Sequence, residues 1–408
     1  MFILNDAPAT RAPNPAIMAL AEHGHRIALH LSETEKMLGA ILNLRQAGST
    51  IFPIHPDIPH ARALDMAAHA GCDRFVAGDG TILETDTRHD GARVPEGGLI
   101  HMTSGTTGAP KRIERSWGEI GIEIASYAEA FTAPDGMTPI IACPITHSYG
   151  LIPGVMVGLH RGRTPVVIEG INPKYILRRM REVERPLLYT SPAMLYTLAR
   201  LLPADAHLPA AMTSGTMLSR SWFDCIRSRV DRLFQQYGCS ETGCVAINPD
   251  LQRADEIGYP LPHLAVGAGR SANRPAEITV ETPRGMIGTG DLGYLAADGM
   301  LVFRSRLDDM INVAGLNVFP RDVEQAVLDM PGVEDALAFR MEDVLAGERV
   351  ALVYTGNARE DELRAWCREH LAGYQQPSVL RPVDRIPREA NGKVNRRNVA
   401  SGLAEAGI

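Results

Sequence analysis

Ten residues from Met102 to Lys111 read Met-Thr-Ser-Gly-Thr-Thr-Gly-Ala-Pro-Lys. Glycine lets backbone N–H groups turn toward an anion with no Cβ in the way. Ser and Thr hydroxyls add short donors, and the lysine adds a point charge. Thr103, Ser104, Gly105, Thr106, Thr107, Gly108 and Lys111 therefore have the composition of a polyphosphate cradle. The run is not a Walker A loop, which needs four residues between its first glycine and a Gly-Lys pair. Taken alone it also fits an ordinary Ser/Thr/Gly surface turn.

Four further segments follow in order. They are Tyr237-Gly238-Cys239-Ser240-Glu241-Thr242-Gly243, then Thr289-Gly290-Asp291, then Arg306 to Gly315, and last Pro387 to Val394 with Asn391-Gly392-Lys393 inside it. The series resembles the adenylate-forming superfamily of acyl- and aryl-CoA synthetases and peptide-synthetase adenylation domains. The resemblance runs from about Arg26 to about Arg397 and marks a shortened member.

The resemblance implies ATP-dependent attack of a carboxylate on the α-phosphate, giving an acyl-adenylate and pyrophosphate. Both reactants are anions, so charge neutralisation and alignment are what the protein must supply. The Thr103–Lys111 segment would wrap the β- and γ-phosphates. Arg112 stands where most relatives have glycine; it either adds a charge or faces solvent, and the second reading is preferred. Tyr237 would stack on adenine, beside Gly238 and a backbone strip of Gly215, Thr216 and Met217. Ser240 would keep a hydroxyl for the α-phosphate, and Glu241 would hold Mg²⁺ as a hard carboxylate. Asp291 would accept from the ribose hydroxyls, with Arg306 as a second ribose contact. Lys393 would reach across a domain boundary to the charge that builds in the transition state.

Pro144-Ile145-Thr146-His147-Ser148-Tyr149-Gly150 resembles the segment that opens the acid pocket. His147, Tyr149, Gly150, Ser214 and Cys239 are the expected pocket residues, with Tyr189, Ser191, Pro192 and Met194 as further walls. No aspartate lies between Pro139 and Glu169 to hold a substrate ammonium, which disfavours α-amino acids. An aryl or short to medium acyl acid fits better. The acyl group then passes to a thiol, with CoA as the expected co-substrate. A carrier protein or an amine is the alternative acceptor. Gly315 would line the thiol path. A reading of another class, a catalytically silent nucleotide-binding subunit, conflicts with the presence of Lys393, Glu241 and Asp291.

The elements that must position these residues can be read from pattern. Arg26–Leu29 and Thr50–Ile54 read as strands around a helical repeat at Glu33–Ala47, which is a parallel α/β unit. Strand patterns recur at 139–142, 165–168, 187–189, 211–213 and 232–235. After Arg306 come a strand at 310–313, a helix at 320–328, strands at 333–340 and 348–355, a helix at 359–372 and a C-terminal loop. The expected fold is α/β. A large N-terminal domain (1–305) carries mixed, mostly parallel sheets flanked by helices. A small mobile α+β domain (306–408) follows, with a hinge near Asp308. The segment around Arg284-Gly285-Met286-Ile287 replaces a longer loop of relatives. Gly267 to Ala272 fits a dinucleotide-binding pattern, but no strand–helix unit surrounds it, so it reads as a loop.

The chain has 408 residues, 45% of them apolar, and a net charge of −7. That size supports two domains, and the acidity argues against nucleic-acid binding. No run of 18 apolar residues suggests a membrane span, and no signal segment is evident. Six cysteines show no metal-ligand spacing and read as reduced thiols. A cytoplasmic enzyme is expected, with a homodimer as an assembly open to it.

Overall fold

The computed structural model describes all residues except 10–13, 23, 88–95, 104–110, 171, 219, 344–346, 389–393, 395 and 406–408. Five candidate residues (Ser104, Gly105, Thr106, Thr107 and Gly108) and Lys393 lie outside the described residues.

The first sheet has six strands. Its order is Ile82–Glu84, Arg74–Val76, Arg26–Leu29, Thr50–Pro53, Gly98–Thr103, Lys111–Ser116. The four inner strands are parallel and the outer two pair antiparallel. The helix Thr34–Gln46 packs Met37, Leu38, Ile41, Leu42 and Leu44 on one face, and His60–His69 packs Ala63 and Ala67 on the other. Ile27 and Leu29 pack into one apolar cluster and Ala28 into another, so this strand is buried on both faces, as expected for a parallel strand.

The second sheet has thirteen strands and two characters. Thr138–Ala142, Pro186–Thr190, Leu208–Thr213 and Val230–Cys239 run parallel, joined through helices such as Pro173–Glu182 and Pro192–Leu201. From Val230 to Arg306 the pairing turns antiparallel. The expectation of mostly parallel sheets therefore holds for the first half of this sheet only. In the second half short connections join antiparallel strands, which leaves no room for crossover helices.

Residues beyond Arg306 build a third, five-stranded sheet from Ile311–Val313, Leu316–Val318, Val333–Asp343, Gly347–Gly356 and Val379–Pro382. Its cluster includes Val323, Val327, Leu352, Leu363 and Leu380. The helix Pro320–Leu328 falls where the apolar spacing puts it. The expected C-terminal loop is instead the strand Val379–Pro382 and a helix, Arg396–Glu405. Ionic and stacking contacts join this part to the rest. Arg304 pairs with Asp322 at 2.8 Å, Arg220 pairs with Asp329, and Arg388 lies over the Trp222 ring. No helix among the described residues is long and apolar enough to cross a membrane.

Candidate active site

The phosphate segment joins two antiparallel strands, Gly98–Thr103 and Lys111–Ser116, and Thr103 and Lys111 are ladder partners. Its two ends are thus held at one place. The second strand runs directly into the helix Trp117–Ala130 through a reciprocal cap. Ser116 Oγ accepts from Glu119 N–H at 3.1 Å, and the Glu119 carboxylate accepts from Ser116 N–H at 2.8 Å. Lys111 Nζ lies 3.2 Å from Glu241 Oε1, which brings the lysine of the phosphate segment to the expected metal ligand across 130 residues of chain. Arg112 does not face solvent as expected. It donates to Ala70 O at 3.3 Å and pairs with Glu114 at 3.4 Å, because Glu114 is buried on the same strand and needs cations.

Tyr237, Asp291 and Arg306 converge on the antiparallel half of the second sheet. Tyr237 Oη donates to Asp291 Oδ2 at 2.7 Å, and Arg306 donates to Asp291 Oδ1 at 2.9 Å. Asp291 and Arg306 are also ladder partners. Burial pushes the Asp291 carboxyl up, while Arg306 and the Tyr237 hydroxyl act in the opposite sense. Each carboxylate oxygen keeps one further lone-pair position for a sugar hydroxyl. Met217 packs into the same apolar cluster as Tyr237, with Ala246, Ile257 and Phe303. The strip that should follow the adenine is therefore beside the ring that should stack on it. Arg306 also reaches Asp308 at 3.2 Å.

Ser240, Glu241 and Thr242 form the turn between Val230–Cys239 and Gly243–Asn248. Two glycines make that turn fit. A Cβ on Gly238 would overlap Gly243 O, and a Cβ on Gly243, whose φ is +77°, would overlap Arg115 and Glu123. Those two side chains form an ion pair of 2.7 Å that is almost fully buried, at 5% and 2% exposure. Glu123 Oε1 also accepts from Cys244 N–H at 2.8 Å. The carboxylate thus ties the Glu241 turn to the strand leaving the phosphate segment. Outside, Arg284 donates to Glu241 O at 3.3 Å and Glu114 O at 2.6 Å.

Around the acid segment, Tyr149 Oη donates to Met212 O at 2.7 Å, which fixes the ring at the ends of two parallel strands. The segment leads into a π-helix, Gly150–Met156, a form that recurs at functional sites. Ser214 donates to Gln236 O at 3.1 Å, and Cys239 Sγ lies 3.1 Å from Thr242 Oγ1. Two expected walls are otherwise engaged. Tyr189 is buried in the core, and Ser191 Oγ caps the helix Pro192–Leu201 by accepting from Met194 N–H. His101 lies two residues before Thr103. Burial first, then His147 and Arg115, hold its imidazole down to about 4, and its Nε2 is buried without a partner. Burial raises the Cys143 thiol to about 12, so that cysteine is inert at neutral pH.

Gly315 sits in a two-residue turn between Ile311–Val313 and Leu316–Val318. Ala314 and Gly315 have φ of +51° and +88°, the primed turn that suits strand twist.

Residues 98–268 match the family described as AMP-binding enzyme, and residues 322–393 match the AMP-binding enzyme C-terminal domain. Along nearly its whole length the chain is similar to a 3,4-dihydroxybenzoate–[aryl-carrier protein] ligase of Bacillus anthracis. Identity is 35% over 379 residues, covering 93% of this chain and 92% of that protein. The chain belongs to the AMP-binding enzyme family. It is an AMP-forming acid–thiol ligase, which activates a carboxylic acid with ATP and transfers the acyl group to a thiol.

A 2-succinylbenzoate–CoA ligase of Bacillus velezensis is 29% identical over 334 residues, covering 74% of this AMP-binding enzyme and 68% of the relative. The fold matches that of the O-succinylbenzoate coenzyme A synthetase of Bacillus subtilis with a TM-score of 0.78, at 21% identity, covering 98% and 96% of the two chains. Sequence reading missed four of this ligase's site-proximal residues: His101, Arg115, Glu123 and Arg284. Only Arg284 left a trace, as part of the shortened segment. Glu123 gave no signal, since its partner Cys244 is 121 residues away. A cavity of about 450 Å³ lined by Leu42, Arg45, Ile124 and Met156 lies between helices, away from these motif residues.

Proposed function

We propose that this ligase activates an aryl carboxylic acid and delivers it to the phosphopantetheine thiol of an aryl carrier protein. The observation that carries this reading is the end-to-end similarity to the aryl-carrier-protein ligase. Identity to it is 35% over 93% of this chain, against 29% over 74% for the CoA ligase above. A hydroxylated ring is favoured by His101 Nε2 and Thr146 Oγ1, buried polar atoms without partners near the acid segment. Buried polar atoms left unpaired are costly, so a ligand hydroxyl there is stabilising.

In this reading Tyr237 stacks on adenine, Asp291 and Arg306 hold the ribose, and Lys111 meets the departing phosphates. Glu241 holds Mg²⁺. A single hard carboxylate suits a cation that takes its other ligands from phosphate and water. The metal would supply neutralisation of phosphate charge. A substrate carboxylate oxygen bonds to the α-phosphorus and pyrophosphate leaves. The pantetheine sulfur then attacks the acyl carbon, AMP leaves, and the thiol proton passes to solvent. Lys393 serves the first step. The residues beyond Arg306 then turn about Asp308 to present Gly315 to the thiol arm.

CoA as acceptor is the second reading, favoured by the CoA ligases among the relatives. A screen of ATP–pyrophosphate exchange over hydroxybenzoates, unsubstituted benzoate and short alkyl acids tests the acid class. Exchange confined to alkyl acids overturns it.

A further inference from the structure

We propose that Arg284, held at the tip of a tight hairpin, is a positioning residue for Glu241. The inference rests on the reading of Glu241 as the Mg²⁺ ligand. Ala276–Thr282 and Gly285–Leu295 are joined by only Pro283 and Arg284, and Thr282 pairs with Gly285. Thr282 Oγ1 accepts from Arg284 N–H at 3.2 Å and donates to Gly285 O at 2.8 Å, so the tip is fixed. From this tip the guanidinium reaches three elements. It donates to Glu114 O on the strand leaving the phosphate segment and to Glu241 O in the metal-ligand turn. It also lies 3.3 Å from the Glu119 carboxylate in the first turn of the following helix.

These are the elements that set where Glu241 stands relative to Lys111. The planar fork of an arginine can bridge two carbonyls at fixed separation, which an ammonium cannot. Glu119 offsets its charge, so Arg284 contributes geometry more than field. Its side chain is 46% exposed and the hydrophobic clusters do not include it. Removing it should therefore leave the fold intact.

The test is calorimetric binding of α,β-methylene-ATP at stepped Mg²⁺ concentrations. It uses the full-length wild type, Glu241→Gln, Arg284→Ala, Arg284→Lys and the Ala/Gln double variant. Arg284→Ala is expected to raise the half-saturating Mg²⁺ about threefold to tenfold, the range for a charged hydrogen bond at a partly exposed site. Its melting temperature should stay within about 2 °C of wild type. Arg284→Lys should behave like Arg284→Ala. The double variant should need no more Mg²⁺ than Glu241→Gln alone, since both act through one group. An unshifted Arg284→Ala, a fully rescuing lysine, or additive shifts overturn the proposal. An unshifted Glu241→Gln overturns the metal-ligand reading, and the proposal falls with it.

Discussion

Tyr237 Oη stands 2.7 Å from Asp291 Oδ2, with Arg306 at 2.9 Å on the other oxygen. The ring expected to stack on adenine and the carboxylate expected to hold ribose are thus one hydrogen-bonded unit. Tyr237→Phe leaves half of a buried carboxylate without its protein donor. It should cost about 1–3 kcal/mol of stability and raise the KM for ATP. Thermal melts and exchange kinetics check both. An unchanged melting temperature with unchanged KM would mean that the bond is dispensable.

Gly243→Ala should destabilise the protein by about 2–4 kcal/mol. The new methyl group would be driven into the buried Arg115–Glu123 pair at a φ of +77°. Denaturant unfolding measures this. A loss below about 0.5 kcal/mol would show that the pair moves aside freely.

His101 gives a pH dependence with a definite sign. Its folded value, about 4, lies below the ordinary histidine value of 6.5. The stability it contributes is present above pH 6.5 and is lost as pH falls toward 4, because the unfolded chain takes up the proton first. The full effect is on the order of 3 kcal/mol. His101→Gln should flatten the melting-temperature profile between pH 6.5 and 4 relative to wild type. Parallel profiles would contradict the buried, neutral imidazole.

The parallel core was legible because strands such as Arg26–Leu29 and helices such as Thr34–Gln46 carry plain periodicity and turn signals. The antiparallel half of the second sheet was not. Gly285–Leu295 is glycine-rich, and its apolar residues do not alternate cleanly. The motifs nominated Tyr237, Glu241, Asp291 and Arg306, and the structure joins Tyr237, Asp291 and Arg306 in one hydrogen-bonded group. The buried Arg115–Glu123 pair was hidden because its value depends on Cys244, far along the chain. Arg112 was misjudged because a neighbour on its own strand, Glu114, draws it inward.

Lys393→Ala should slow exchange by at least about a hundredfold while leaving ATP affinity nearly unchanged, as expected for a group that acts on the transition state. Equal losses in binding and turnover would contradict that role.

Asp308→Pro fixes φ near −65° and removes a backbone donor. It should retain much of the exchange activity and lose most thioester formation. Equal loss in both, or retention in both, would remove the case for rotation at this residue.

The most direct test compares acceptors on one preparation. The ligase, ATP and a hydroxybenzoate that supports exchange are mixed with holo aryl carrier protein or with CoA, and thioester formation is followed by intact mass. Apo carrier protein serves as the control. Loading of the holo protein at a kcat/KM at least about tenfold above that for CoA, with none on the apo form, is the predicted result. Equal or faster CoA thioester formation without carrier loading would contradict it.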